Sequence, residues 1–398
     1  MNILILTARF GMGHIKAAEA VKEQLDEDSR YDEVKVIDFV EYLFPHLSAW
    51  IYRSFNRLVM NQTGLYNKAI SFTDNVSLLP MKAYISWKIG RLIESSNASG
   101  VIAIFPCCSR YISVYKEFTG SKIPLYTCIT DIHPHSEWVA EDTDGYFAGS
   151  QETVQQLVNK GVPRSRIFVT GIPVKKAFCH GNQENQENQE SPYDRRNVEN
   201  APEILVMGGG LGLASSSHKL NELLESAAKD YGARVTVVCG SNEKRKKELE
   251  AAHPEFKVMG FVNHVDRLMK DADVLITKPG GITLFEGISS ETPLFFLEPR
   301  LNQEVYNAKF AEKNHVAKVI WSAEDADTKE LMEFICDKDE IRHMKESMAT
   351  LKKECYGSRI GDIMYLDIKK KHHQSVMDGR NTDNIDDRNS VGIFSYEC

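Results

Sequence analysis

Short unbroken apolar runs alternate with amphipathic helix patterns along this chain, and the alternation stops once and then restarts. The first series comprises Asn2–Thr7 (NILILT), Glu33–Asp38 (EVKVID), Gly100–Phe105 (GVIAIF), Pro124–Thr130 (PLYTCIT) and Gly145–Gly149 (GYFAG). The second comprises Glu203–Met207 (EILVM), Ala233–Gly240 (ARVTVVCG), Phe256–Gly260 (FKVMG), Asp273–Lys278 (DVLITK) and Pro293–Glu298 (PLFFLE). Runs without alternating polar positions suit parallel strands buried on both faces. Intervening patterns such as Ile15, Ala18, Val21 and Leu25 have the period of the helices that cross between such strands. Two α/β domains are expected.

The break falls at CHGNQENQENQESPYDRRNVENAP, from Cys179 to Pro202, which has too little apolar surface to offset the entropy of ordering it. The expected division is residues 1–178 for the first domain, 179–202 for a linker or exposed loop, and 203–355 for the second domain. Residues 356–376 are expected to form a helix crossing back to the first domain. Residues 377–398 form a polar tail expected to be disordered.

A formal net charge of -8 argues against general nucleic-acid binding, which needs a basic surface. Eight cysteines include no CxxC pair, so neither a zinc ribbon nor a thioredoxin-type site is signalled, and most sit in apolar runs as expected of buried thiols in a reducing cytosol. The start MNILILT lacks a leader pattern, and no apolar run is long enough to span a bilayer. A cytoplasmic protein, with an option of peripheral attachment to the inner face of the cell membrane, is expected.

Three glycine-bearing loops lie at strand-to-helix junctions. In TARFGMGH, Gly11 and Gly13 permit a tight turn at the carboxyl end of the first strand, and His14 opens the helix into the cleft. MGGGLGLASSS offers clustered backbone N–H groups at a helix start, a place for a diphosphate, and it lacks the GK[ST] ending of an ATPase loop. In TKPGGITLFE, Gly280 and Gly281 begin a helix, with Glu286 a turn further on as a candidate acceptor for ribose hydroxyls. Gln303 and Glu304 follow the next strand, where they suit sugar hydroxyls.

The combination TxxxGxGHxxAA, TDIxxH, VTGIPV, MGGGxG, KPGGITLxE and QExxNA closely resembles bacterial processive diacylglycerol glucosyltransferases and plant monogalactosyldiacylglycerol synthases. The peptidoglycan N-acetylglucosaminyltransferase is similar at a greater distance. The likeness covers roughly Asn2 to Ile320, with a final helix near Ile360 to Lys371. It implies a GT-B fold of two Rossmann-like domains facing a central cleft, a UDP-sugar donor, an inverting mechanism and no obligatory metal or other cofactor. Carried over by motif, it puts the diphosphate near Gly209, Gly210, Leu211 and Gly212 and near Gly280, Gly281 and Ile282. It puts the uracil against Gly260, Phe261 and Val262, the ribose against Glu286, and the hexose against Gln303 and Glu304 with Asn307 nearby. His14 and Asp131 match acceptor-side catalytic residues. The sequence departs from relatives in carrying Arg9, Phe10 and Met12 in the first loop and in lacking the His-Pro that often follows the Trp of TDIHPHSEW.

Without an apparent DxD-type metal site, the leaving UDP must be stabilised by backbone N–H groups and helix N-termini. His14 fits a general base by intrinsic pKa, and Asp131 is either the base or its orienter. The acceptor is argued from FVEYLFPHLSAWIYRSFNRLVM, where Leu43, Leu47, Ile51, Phe55 and Leu58 form an apolar stripe flanked by Arg53 and Arg57, with Trp50 beside it. That pattern suits an interfacial helix reaching a lipid at an anionic surface, or a helix packed on the core. Lys68, Lys82, Lys88 and Arg91 add local positive charge. Three readings follow: transfer of a hexose, glucose first, to a lipid hydroxyl such as diacylglycerol; transfer to a small hydrophobic molecule; and sugar-nucleotide epimerisation, which lacks the KPGGITLxE and QExxNA pair.

Overall fold

The structure is a computed structural model describing residues 1–61, 81–179, 201–208, 218–322 and 327–373. Gly209, Gly210, Leu211, Gly212 and Lys68, most of the expected linker and the expected tail lie outside the described residues.

Two parallel six-stranded sheets carry the fold. The first contains β1 (Asn2–Thr7), β2 (Glu33–Asp38), β3 (Gly100–Ala103), β4 (Leu125–Cys128), β5 (Gly145–Ala148) and β6 (Ile167–Val169), in the order β2-β1-β3-β4-β5-β6. The second contains β7 (Glu203–Met207), β8 (Arg234–Val238), β9 (Lys257–Met259), β10 (Val274–Thr277), β11 (Leu294–Phe296) and β12 (Ala317–Val319), in the order β12-β11-β10-β7-β8-β9. These are the two Rossmann-like domains of a GT-B fold. β1 shows why its sequence does not alternate. Ile3 and Ile5 join one buried cluster, Leu4 and Leu6 another, so both faces of the strand are covered.

Ten strands were legible as apolar runs, and two were not. β6 and β12 are three residues long and lie at sheet edges, where one ladder suffices and no long apolar run is required.

In each sheet the strand order reverses at one place, between β1 and β3 and between β7 and β10. Ligands of open α/β sheets bind beyond the carboxyl ends of the strands at such points. The loop after β1 leads to His14 in the first turn of the next helix, and the loop after β10 leads through Gly280 to Gly281 at its helix start.

The chain returns to the first domain at its end. Tyr356 donates to the Ile172 carbonyl at 2.9 Å, and a Cβ at Gly171 (φ 71°) would lie 2.5 Å from the Tyr356 ring, so glycine is required there. Residues 360–373 are helical. They lie against the first sheet, with Tyr31 donating to the Gly361 carbonyl at 2.5 Å and Tyr126 to Asp367 at 2.7 Å.

The stripe from Leu43 to Leu58 does not belong to one helix. A short helix, Phe39–Leu43, ends before Pro45, and a second, Ser48–Asn61, follows. Proline disfavours helical geometry in the residue before it, and Phe44 has left the helix (φ -134°, ψ 64°). Leu43 is consequently buried in the core, whereas Leu47 is exposed.

Candidate active site

His14 is the second residue of the helix Gly13–Asp26, delivered by a turn in which Gly11 has φ 84°. Its Nδ1 lies 2.9 Å from Thr130 Oγ1, and its ring meets Phe105 edge-on at 5.1 Å. Loss of water, then the charge of neighbouring His135, holds its pKa down at about 4, with a backbone hydrogen bond at Ile104 pulling the other way. The imidazole is therefore neutral, and able to accept a proton, at any pH above that value.

Asp131 follows Thr130 and looks toward the second domain. Burial raises its pKa to about 6, against the pull of the Asn307 amide and the Lys278 charge. Asn307 is fully buried, and its amide brackets the two domains. Oδ1 accepts from the Ile132 N–H at 3.1 Å, while Nδ2 donates to the Pro279 carbonyl at 3.1 Å and reaches Asp131 Oδ1 at 3.5 Å. His133 and Tyr306 stack nearby at 3.9 Å. The approach is so close that a Cβ at Gly281 would lie 2.2 Å from the Thr130 carbonyl oxygen.

The helix Gly281–Ser290 starts from an extended Gly280, and the first N–H groups of such a helix have no intrahelical partner. Ile282 faces the first domain, since a Cβ on Gly13 would come within 3.3 Å of its Cγ1. Two helix starts thus converge on one cleft. Glu286, 3% exposed, bonds Lys16 Nζ through Oε1 at 3.0 Å, and its Oε2 has no hydrogen-bond partner. Burial raises the Glu286 pKa, and Lys16 and then Lys175 oppose that rise. At the carboxyl end of β9, Phe261 is 70% exposed, a large apolar ring open to solvent, with Val262 half-buried beside it.

Glu304 is engaged more fully than its sequence position indicates. Oε1 pairs with Lys278 at 2.8 Å, and Oε2 accepts from the Arg300 and Leu301 N–H groups at 3.0 and 3.3 Å, capping the helix Asn302–Lys313. The amide of Asn307 is likewise committed to the domain contact. Gln303 is half-buried and has no side-chain partner among the described residues.

On the first domain an aromatic path leads outward from His14. Phe105 stacks on Phe10 at 5.1 Å, and Phe10 meets Phe55 at 4.7 Å and Tyr52 at 5.0 Å. Arg9 secures this loop by pairing with Asp38 at 2.6 Å, and Tyr52 donates to the same carboxylate at 2.5 Å. Arg9 and Phe10 thus hold the helix Ser48–Asn61 against the site. Its outer side exposes Trp50 (64%), Arg53 and Arg57, while Ile51 is half-buried. The helix Lys82–Ser95 adds Tyr84 and Trp87, the latter 57% exposed with the Arg91 guanidinium 5.4 Å above its ring.

Comparison with known proteins agrees with this architecture. The monogalactosyldiacylglycerol synthase model matches residues 14–174, and the glycosyltransferase family 28 C-terminal domain model matches residues 203–363. A processive diacylglycerol beta-glucosyltransferase of Bacillus pumilus is 31% identical over 371 residues, covering 88% of this chain and 91% of that one. The chain belongs to this glycosyltransferase family. The enzyme is accordingly a UDP-glycosyltransferase, as its sequence motifs imply. Among solved structures, MurG of Acinetobacter baumannii superposes with a TM-score of 0.54 at 16% identity, covering 87% of this chain and 94% of that one. A putative UDP-N-acetylglucosamine 2-epimerase from Listeria monocytogenes gives 0.60 at 14% identity, covering 94% and 97%. At these identities the likeness is one of fold alone.

Several residues at the enzyme's cleft were passed over in the sequence. Thr130, Phe105 and Lys16 reach the site only through the tertiary fold. Lys16 did carry a signal: a cation in the first turn of a helix opposes the helix dipole, which favours anions there. Tyr84 and Trp87 sit among the basic residues Lys82, Lys88 and Arg91, but nothing in their spacing separates a surface patch from a core stripe.

Proposed function

We propose that the enzyme transfers glucose from UDP-glucose to the hydroxyl of diacylglycerol, with inversion, while resting on an anionic membrane surface. The observation that carries this reading is the aromatic path from the exposed helix Ser48–Asn61, through Phe55, Tyr52, Phe10 and Phe105, to the neutral imidazole of His14. Such a path suits an acceptor whose hydroxyl is attached to apolar chains that remain at a lipid surface. Exposed Leu47 and Trp50 beside Arg53 and Arg57, and exposed Tyr84 and Trp87 beside Lys88 and Arg91, each suit the interface between acyl chains and headgroups. No described helix is long and apolar enough to cross a membrane.

In the proposed mechanism His14 takes the acceptor's hydroxyl proton as the oxygen attacks C1 of the donor hexose. The C1–O bond to UDP breaks with its electron pair on the diphosphate, and one displacement inverts the anomeric carbon. The negative charge grows at the start of the helix Gly281–Ser290, whose free N–H groups and positive dipole end face it. Gly209, Gly210, Leu211 and Gly212, outside the described residues, are the second candidate contact for the diphosphate by their motif. No metal is required, because these groups supply the electrostatic stabilisation. Asp131, turned toward Asn307 and Lys278, orients the donor side. Phe261 and Val262 take the uracil, Glu286 the ribose, and Gln303 the hexose, with Glu304 holding the end of its helix.

Product analysis tests the chemistry. UDP-[13C]glucose and dispersed diacylglycerol should yield a β-linked glucolipid by NMR. An α-linked product excludes single inversion, and turnover only with UDP-galactose overturns the assigned sugar.

A further inference from the structure

The buried carboxylate of Glu286, in the second domain, takes its hydrogen-bond partner from the first. Lys16 lies in the first turn of the helix Gly13–Asp26, the end where a positive charge is least favoured by the backbone dipole. It spans the cleft to bond Glu286 Oε1 at 3.0 Å, and the side chains are 36% and 3% exposed. The second oxygen, Oε2, is buried and unpartnered. A buried carboxylate with one oxygen anchored by an ammonium and the other unsatisfied is an acceptor held ready for a hydroxyl, since leaving such an oxygen unpaired is costly.

We infer that Lys16 is a positioning residue for the donor: it holds Glu286 Oε1 across the cleft and fixes the carboxylate's rotamer, which leaves Oε2 as the acceptor for a ribose hydroxyl. This rests on the assignment of Glu286 to the ribose. The charged and titratable groups facing Glu286 are Lys16, Lys175 from the segment before the turn Lys176–Phe178, and Tyr356. Lys175 is itself paired with Glu19 at 2.7 Å, which leaves Lys16 as the cation in direct contact.

The test is calorimetric titration of the full chain with UDP and with 2′-deoxy-UDP. Lys16→Met is expected to weaken UDP by about tenfold, the scale of one charged hydrogen bond, and to shrink the preference for UDP over its deoxy analogue. Lys16→Arg should restore both, and the UDP affinity of Lys16→Met should rise with pH as the unsupported carboxyl ionises. Unchanged or tighter UDP binding by Lys16→Met, with its thermal melt intact, overturns the inference; tighter binding means that Lys16 competes with the ribose. If the unmodified enzyme binds UDP but Glu286→Gln does not weaken it, the ribose assignment itself fails. If the unmodified enzyme does not bind UDP, the donor reading fails with it.

Discussion

His14 Nδ1 and Thr130 Oγ1 lie 2.9 Å apart, which joins the loop beyond β1 to the loop beyond β4 at the floor of the cleft. The next residue, Asp131, belongs electrostatically to the opposite domain. One short contact thus separates the His14 imidazole from a carboxylate that faces Asn307 and Lys278 of the opposite domain.

Replacing His14 by alanine should lower turnover by roughly 10²–10⁴, the range of a lost general base, with UDP affinity unchanged by calorimetry. The pH profile distinguishes the two candidates. A base is active when deprotonated, so the acid limb of kcat/KM falls near 4 if His14 takes the proton and near 6 if Asp131 does. A limb near 6 that survives His14→Ala with near-normal turnover would transfer the role to Asp131.

Glu286→Ala should weaken UDP by about 1–3 kcal/mol, the scale of losing hydrogen bonds to a charged acceptor. Gln303→Ala should leave UDP binding alone and raise KM for the intact UDP-sugar. Equal effects of both changes on UDP would contradict the division between ribose and hexose.

How far this site was legible depended on what each residue needed. Gly280 and Gly281 open one helix and Glu286 lies further along it, an arrangement the spacing shows without the tertiary fold. The same sequence gave no warning that Gly281 is pressed against the Thr130 carbonyl, because that demand comes from the other domain. Glu304 was read as suiting a sugar hydroxyl, and its backbone capping bonds became visible only in three dimensions. The periodic stripe from Leu43 to Leu58 reads as a single helix, whereas Pro45 divides it in two.

Chelation provides a separate check. Turnover should persist after exhaustive treatment with EDTA, since helix N-termini meet the diphosphate charge. Abolition by EDTA and recovery with magnesium or manganese would require an ion in place of that backbone stabilisation.

Vesicle binding should depend on anionic lipid and fall with salt, because surface charges are screened within a Debye length. Arg53→Glu combined with Arg57→Glu should largely remove it, each basic residue near such a surface being worth about 1 kcal/mol. Trp50→Ala with Trp87→Ala should weaken binding even at low salt by removing apolar insertion. Binding indifferent to all four changes would place the docking face elsewhere.

The acceptor is the centre of the account, and one comparison tests it most directly. UDP release from UDP-glucose is measured with diacylglycerol in anionic vesicles and, in parallel, with a panel of soluble phenolic and polyketide acceptors. The aromatic path from the helix Ser48–Asn61 to His14 predicts rapid release and a glucolipid product with diacylglycerol, and little turnover of the soluble panel. Efficient glycosylation of a soluble acceptor, with no reaction at the vesicle surface, would contradict the lipid assignment and leave the donor half standing.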